Sequence, residues 1–274
     1  MSIDKLTLSD NDKISGTGFL KQTSVAETYP AHTHDFYEIF LVTKGKALHV
    51  VNDFTQLLSR GSFVFLRPND VHKYSFFKSF DFELITIGIP VSEINITIKY
   101  LSLNFTSFLE PRIAPTILLE GSTFLDIEGK IEKIGETEVG EERHLYFITI
   151  LPLLLYNFYS AVRVKRSKIN VPPWFLKLIE KMSERDNYVG GLSKLITLAN
   201  YSQEHLTRVF RRYLDITPTQ FINEKRMNYA AELLKSSDYE VLDICIMCGC
   251  NNLSHFYHLF KKYYKCSPKE YANN

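Results

Sequence analysis

The 274-residue sequence predicts a multi-domain chain of mixed class: a small β-barrel or β-sandwich, a helical connector, and an all-α domain with two helix-turn-helix units. Three observations predict it. From Gly18 to about Ile89, apolar residues recur with period two between turn signals, the pattern of short, half-buried strands. From Glu141 to Val162, apolar residues fill a helix-length run on all sides. Over 192–271 one plan appears twice: Phe210 and Phe260 stand fifty positions apart, as do Arg211-Arg212 and Lys261-Lys262, Tyr213 and Tyr263, and Pro218 and Pro268. A duplicated helix-turn-helix implies double-stranded DNA as partner.

Bulk properties narrow the class. With 45% hydrophobic and 23% charged residues the chain is globular, and its length favours about two domains. Net charge is only +1, so the basic residues matter through their distribution. Residues 1–160 carry 14 Lys+Arg against 20 Asp+Glu, 161–173 carry 4 against none, and 174–274 carry 14 against 11. The positive charge is offset toward the C-terminal half. Four cysteines, all after position 244, do not make a disulfide scaffold. Met1–Lys13 is polar and acidic, unlike a signal peptide. The uncharged stretch Leu145–Val162 is broken by Pro152 and holds Asn157, which favours a buried or dimer-forming helix over a membrane span. The expected location is cytoplasmic.

In the expected first domain, residues 1–90, turn signals stand at Lys44-Gly45-Lys46, Val51-Asn52-Asp53, Ser59-Arg60-Gly61 and Pro68-Asn69-Asp70. Between them lies His32-Thr-His34-Asp-Phe-Tyr-Glu38, with Gly45 after six further residues and Gly61, Pro68 and His72 downstream. This resembles the two cupin motifs, with Asp70 standing where the enzymes carry Gly. The resemblance implies a cupin-like barrel whose mouth these residues line. His32, His34 and Glu38 share parity, so on a continuous strand they face one side, and His72 is expected from a facing strand. Three imidazoles and a carboxylate suit Zn, Mn, Fe, Ni or Cu. They also suit a metal-free ligand pocket, the favoured reading, or purely structural roles. By the same parity Phe36, Phe40 and Val42 point inward, and Tyr74 and Phe76 side with His72. Aromatic walls with few polar groups suit a carbohydrate, although each aromatic is also ordinary core material. Arg67 is read as a pocket cation or an exposed strand-end charge, the latter being favoured.

Residues 91–162 are read as a helical connector and dimerisation region. Leu118–Ile134 has helical spacing at Phe124, Ile127, Ile131 and Ile134, and Glu141–Val162 forms a longer helix with Leu145, Ile148, Leu155 and Phe158. A basic linker, 163–173, ends at Pro172-Pro173, which stiffens a domain junction.

The last domain, 174–274, opens with a helix over Trp174–Asp186. Leu192–Ala199 is a scaffold helix, Asn200-Tyr201 a turn, and Ser202 the N-cap of a recognition helix Gln203–Leu214. Leu206, Val209, Phe210 and Tyr213 form its apolar stripe. Thr217 caps a long helix from Pro218 to Leu234. Val241–Cys248, a turn at Gly249, and Leu253–Tyr264 repeat the unit, with Ser254, His255, Tyr257, His258, Lys261 and Lys262 outside. The C-x2-C-x-C run Cys245–Cys250 falls on small or apolar core slots, as does Cys266.

The strings Tyr201–Phe210, Asn223–Leu234, Phe256–Lys262 and Ser267-Pro268 closely resemble the DNA-binding domain of AraC-type transcription regulators. An N-terminal cupin-like sensor is their usual companion. Within that family, Val171–Asn223 and His34–Gly45 look most like chitobiose-operon regulators, and the first domain also resembles rhamnose regulators. The resemblance implies two recognition helices in successive major grooves, with Glu204, Thr207 and Arg208 facing bases at the first and Ser254, His255 and His258 at the second, while His205 is left for solvent or DNA. Arg211, Arg212, Lys261 and Lys262 are better placed for phosphates. His258 fills a slot that often carries Arg; Asp215 and Lys265 stand where Gly is usual. The expected function is a sequence-specific regulator, an activator on family grounds, responding to a sugar or disaccharide and working as a homodimer with RNA polymerase. The alternative is a metal-dependent cupin enzyme fused to a DNA-binding domain, with His32, His34, Glu38 and His72 as ligands. No separate general base supports it, so the chain is expected not to be an enzyme.

Overall fold

Apolar alternation in the first half produces strands that are buried on both faces. The structure is a computed structural model describing residues 3–10, 12, 16–23, 30–52, 54–75, 82–102, 114–163 and 171–273. Among them, the chain divides into two compact units, Met1–Asn170 and Val171–Asn274. Phe76, Asp53 and the basic run at 164–170 lie outside the described residues.

Among the described residues of the first unit, ten strands form two sheets. The first has the order β1 (Asp4–Leu6), β3 (His32–His34), β8 (His72–Ser75), β5 (Lys46–Val51), β6 (Phe54–Ser59). The second runs β10 (Thr116–Leu118), β7 (Ser62–Leu66), β4 (Tyr37–Lys44), β9 (Glu83–Ile89), β2 (Gly18–Gln22). Each ladder has two ends, so the described strands make two open sheets and not one closed cylinder. Strand β4 explains the layering. Its Phe40 and Val42 join Ala47, Val51 and Leu58 of the first sheet in a core between the sheets. Its Ile39 and Leu41 face the other way, onto a second core shared with Phe124, Ile131, Leu151 and Phe158. Each such fully buried side chain contributes about 1.5–3 kcal/mol.

Among the described residues, three helices supply that outer layer: α1 (Val91–Leu101), α2 (Gly121–Glu136) and α3 (Glu141–Arg163). The expected helical spacing is right, since Phe124, Ile127, Ile131 and Ile134 are all buried. The expected start at Leu118 is wrong. Thr116–Leu118 instead pairs with β7, and Leu119 N donates to the Gly61 carbonyl. Gly61 has φ +88°, and any Cβ there would collide with the Leu119 carbonyl, so glycine is required at this crossing. Helix α3 is long and apolar enough to cross a membrane by length and composition, but Phe147, Leu151, Leu154, Leu155 and Phe158 pack into the domain core. Phe158 stacks on Phe63 at 4.5 Å.

The second unit is entirely helical: α4 (Pro173–Lys181), α5 (Arg185–Val189), α6 (Gly191–Ala199), α7 (Gln203–Leu214), α8 (Pro218–Ser236), α9 (Val241–Met247), α10 (Leu253–Tyr264) and α11 (Pro268–Asn273). The helix expected over 174–186 is in fact two. Asn187 Nδ2 donates to the Lys181 carbonyl at 2.8 Å, giving the first helix end a partner, and the chain turns there. Phe175, not the half-buried Trp174, enters the core, edge-on to Phe210 at 5.0 Å.

Candidate functional site

Two sites emerge, one in each unit. The first is built where β3 and β8 pair, with His32 directly opposite His72. Glu38 comes from β4 in the other sheet. The seven residues from His32 to Glu38 are therefore not one strand, because the chain bends at Asp35-Phe36 and crosses between sheets. The shared-parity argument fails, yet the residues still meet because the sheets face each other. Glu38 Oε2 lies 3.7 Å from His34 Nε2 and 4.0 Å from His72 Nε2. One ligand atom each from His32, Glu38 and His72 fall within 4.8 Å of one another.

Burial sets the charge state here. It pushes the Glu38 carboxyl up to about 8 and the His49 imidazole down to about 3. His72 is pushed well below its ordinary value, and His32 and His34 are lowered, all chiefly by desolvation. The Glu38 contacts are thus between neutral groups at pH 7, despite ion-pair distances. His32, Phe36, Glu38, His72 and Tyr74 line a cavity of about 230 Å³. His34 and Phe40 are not among its lining residues: His34 stacks on Phe36 at 4.7 Å, and Phe40 fills the core between the sheets.

One central residue escaped the sequence reading. His49 is fully buried, stacks on Tyr74 at 4.9 Å and bonds His72 Nδ1 through Nε2 at 3.2 Å. Its signal was strand alternation, since Ala47, His49 and Val51 share parity and all are buried. Arg67 is also corrected. It is buried, and its guanidinium grips the Asp70 carboxylate through Nε at 3.0 Å and Nη2 at 2.9 Å. Asp70 further accepts from Asn52 Nδ2 at 2.7 Å, so it fastens the Pro68-Asn69-Asp70 turn to the β5–β6 turn.

The second site is the exposed face of α7 and α10. Asn200 adopts the left-handed region at φ 54°, as the turn before α7 requires. Ser202 Oγ then accepts from His205 N at 3.2 Å and starts the helix. Leu206 and Phe210 are buried, leaving Glu204, Arg208, Arg211 and Arg212 exposed. Thr207 is half-buried and donates its hydroxyl proton to the Gln203 carbonyl at 2.8 Å, so outward it offers only lone pairs and a methyl. His205 is half-buried and stacks on Tyr201 at 4.7 Å, which restrains it. In α10, Phe256, Leu259 and Phe260 are buried while Ser254, His255, His258, Lys261 and Lys262 are exposed. Tyr257, expected outside, is half-buried against the domain core. Cys245, Cys248 and Cys250 lie in that core, and burial pushes the Cys248 thiol up to about 12, so these sulfurs stay protonated and behave as small apolar groups.

Comparison with known proteins fits both halves. Residues 20–111 match the model of the AraC-like ligand binding domain, and residues 195–274 match a helix-turn-helix domain model. The chain is a sequence-specific DNA-binding regulator, with an AraC-like ligand-binding part and a helix-turn-helix part. It is 25% identical over 249 residues to the HTH-type transcriptional activator RhaR of Mannheimia succiniciproducens, covering 89% of this chain and 87% of that protein. It is 24% identical over 254 residues to the activator RhaS of an Enterobacter species, covering 88% and 87%. Among solved structures, apo ToxT of Vibrio cholerae aligns over 94% of this chain and 97% of its own, at 14% identity and a TM-score of 0.41. The relatives named are transcriptional activators, and this regulator binds specific DNA sequences.

Proposed function

We propose that this regulator activates transcription when a neutral, hydroxyl-rich small molecule, a carbohydrate, occupies the cavity between the sheets. The carrying observation is the pairing of a cavity walled in part by the buried His32, Glu38 and His72 in one unit with two matched, outward-facing recognition helices in the other. The curated relatives are activators by name. Among the lining residues, His72 Nε2 and Tyr74 Oη are buried without a hydrogen-bond partner in the protein. Unsatisfied buried polar atoms cost about 1–3 kcal/mol each, so they favour an occupant that donates and accepts hydrogen bonds. His32, Phe36, Glu38, His72 and Tyr74 contact it, with His34 and Phe40 supporting them from behind.

On the DNA side, Glu204, His205, Thr207 and Arg208 face one major groove and Ser254, His255 and His258 the next. Arg211, Arg212, Lys261 and Lys262 hold phosphates. Two copies associate through α3 and present their recognition helices to DNA and RNA polymerase in the cytoplasm. A ligand acts only if it binds the DNA-competent and incompetent arrangements unequally.

The test is fluorescence anisotropy on promoter fragments, together with in vitro transcription, across a series of mono- and disaccharides. One or more sugars are expected to change both readouts. No change with any of them would sink carbohydrate sensing. A second reading is favoured by the gathering of His32, Glu38 and His72: a divalent metal such as Zn, Mn, Fe, Ni or Cu fits this nitrogen and oxygen donor set. Metal analysis of the untagged protein decides it, a stoichiometric ion supporting this second reading.

A further inference from the structure

We propose that Gln56, acting through His49, sets the tautomer of His72 and so makes the cavity select a ligand oxygen over a divalent cation. The proposal rests on the cavity being the effector site.

The argument is a chain of hydrogen bonds running from β10 to the cavity wall. Thr116 Oγ1 donates to Gln56 Oε1 at 3.1 Å. Gln56 Nε2 lies 3.0 Å from His49 Nδ1. An amide nitrogen only donates, so His49 Nδ1 carries a lone pair. A neutral imidazole has one N–H, which in His49 must then sit on Nε2. That N–H points at His72 Nδ1, 3.2 Å away. His72 Nδ1 is thereby the acceptor, and its own N–H sits on Nε2, the atom that is buried without a partner and stands 4.0 Å from Glu38 Oε2. His34 is fixed the opposite way: its Nδ1 is 2.7 Å from the Phe36 carbonyl, which only accepts, so its Nε2 carries the lone pair.

A metal needs a lone pair on His72 Nε2, and the chain can supply one only by reversing throughout. His72 Nδ1–H would donate to His49 Nε2, and His49 Nδ1–H to a turned-over Gln56 Oε1. The Gln56 amino group would then donate to Thr116, whose hydroxyl has the Ala114 carbonyl as its other acceptor at 3.1 Å. Each ring keeps one proton, which moves between its own two nitrogens, so no proton is gained or lost. As the side chains stand, the His72 N–H meets an acceptor oxygen of a ligand directly, whereas a cation must first turn the whole relay.

Nitrogen and carbon shifts of labelled histidine in the full chain read the tautomers directly. His72 is expected as the Nε2–H form, with His34 as an internal Nδ1–H contrast. An Nδ1–H form of His72 overturns the proposal. Gln56→Glu places a group that only accepts beside His49, and is expected to invert the His72 tautomer and tighten Co²⁺ binding, followed by its visible absorption, at least ten-fold. An unchanged tautomer in a variant with the parent circular dichroism also overturns it. An Nε2–H form of His72 in a chain that binds no sugar supports the relay and removes only the sugar-sensing reading.

Discussion

Arg208 and His258 occupy comparable places on the two recognition helices but differ in what they can offer a base. Both are exposed. A guanidinium is always charged and presents a planar fork that matches the O6 and N7 edge of guanine, a match worth about 1–3 kcal/mol of discrimination. An imidazole offers at most one bond per nitrogen. Arg208→Ala is therefore expected to weaken specific binding roughly ten-fold or more, and His258→Ala by less. Anisotropy titrations on one operator check this, and a larger loss from His258→Ala would overturn the asymmetry. These surface positions were legible because helical period alone separates them from Leu206, Phe210, Phe256 and Phe260. His49 was not, because a histidine within an apolar strand carries no motif, only the parity it shares with Ala47 and Val51. Arg67 was misread because a strand-end cation looks exposed until a partner three residues on, Asp70, is seen to hold it.

At the scale of elements, the fifty-residue repeat proves deeper than its aromatics. Ser202 and Asn252 are both N-caps, accepting from His205 N and His255 N. Thr217 with Gln220, and Ser267 with Glu270, each form reciprocal caps. Asp215 and Lys265 both end recognition helices in the left-handed region, at φ 57° and 64°, where glycine is usual. Helix limits were legible because caps are local chemistry. The His32–Glu38 break was not, because whether a strand continues or crosses to another sheet depends on distant partners. Helix α8, which joins the two units of the repeat, carries a further consequence. Glu224 on it is buried, with Oε1 unpartnered, and burial pushes its carboxyl up to about 8. The folded state thus holds this proton while the unfolded chain, near the ordinary carboxyl value of 4.5, releases it. Stability falls as pH rises between those two values. Glu224→Gln removes that loss, so the variant is expected to exceed the parent in Tm at pH 8 and to converge with it near pH 4.5. Parallel Tm–pH curves for the two proteins would show that Glu224 ionises freely in the fold.

At the scale of the whole molecule, the question is what covers the outer face of α3. Its inward residues fill the domain core, but Leu145 is 54% exposed, Ile148 39% and Tyr156 59%. At about 100° per residue these three positions fall within one arc of the helix, with the half-buried Pro152 between them. Adjacent apolar side chains on one exposed face mark an interaction surface more than scattered ones do. A second copy is the economical occupant, since a dimer presents four helix-turn-helix units to DNA in place of two and makes the second engagement intramolecular. The double variant Leu145→Glu with Ile148→Glu places like charges face to face in such a pairing, while leaving Phe147, Leu151 and Phe158 in the core. Sedimentation velocity is expected to show a dimer for the parent and a monomer for the variant, with operator affinity lowered about ten-fold or more through lost effective concentration. A parent chain that sediments as a monomer at micromolar concentration, or a variant that remains dimeric with unchanged circular dichroism, would place the dimer contact elsewhere than α3.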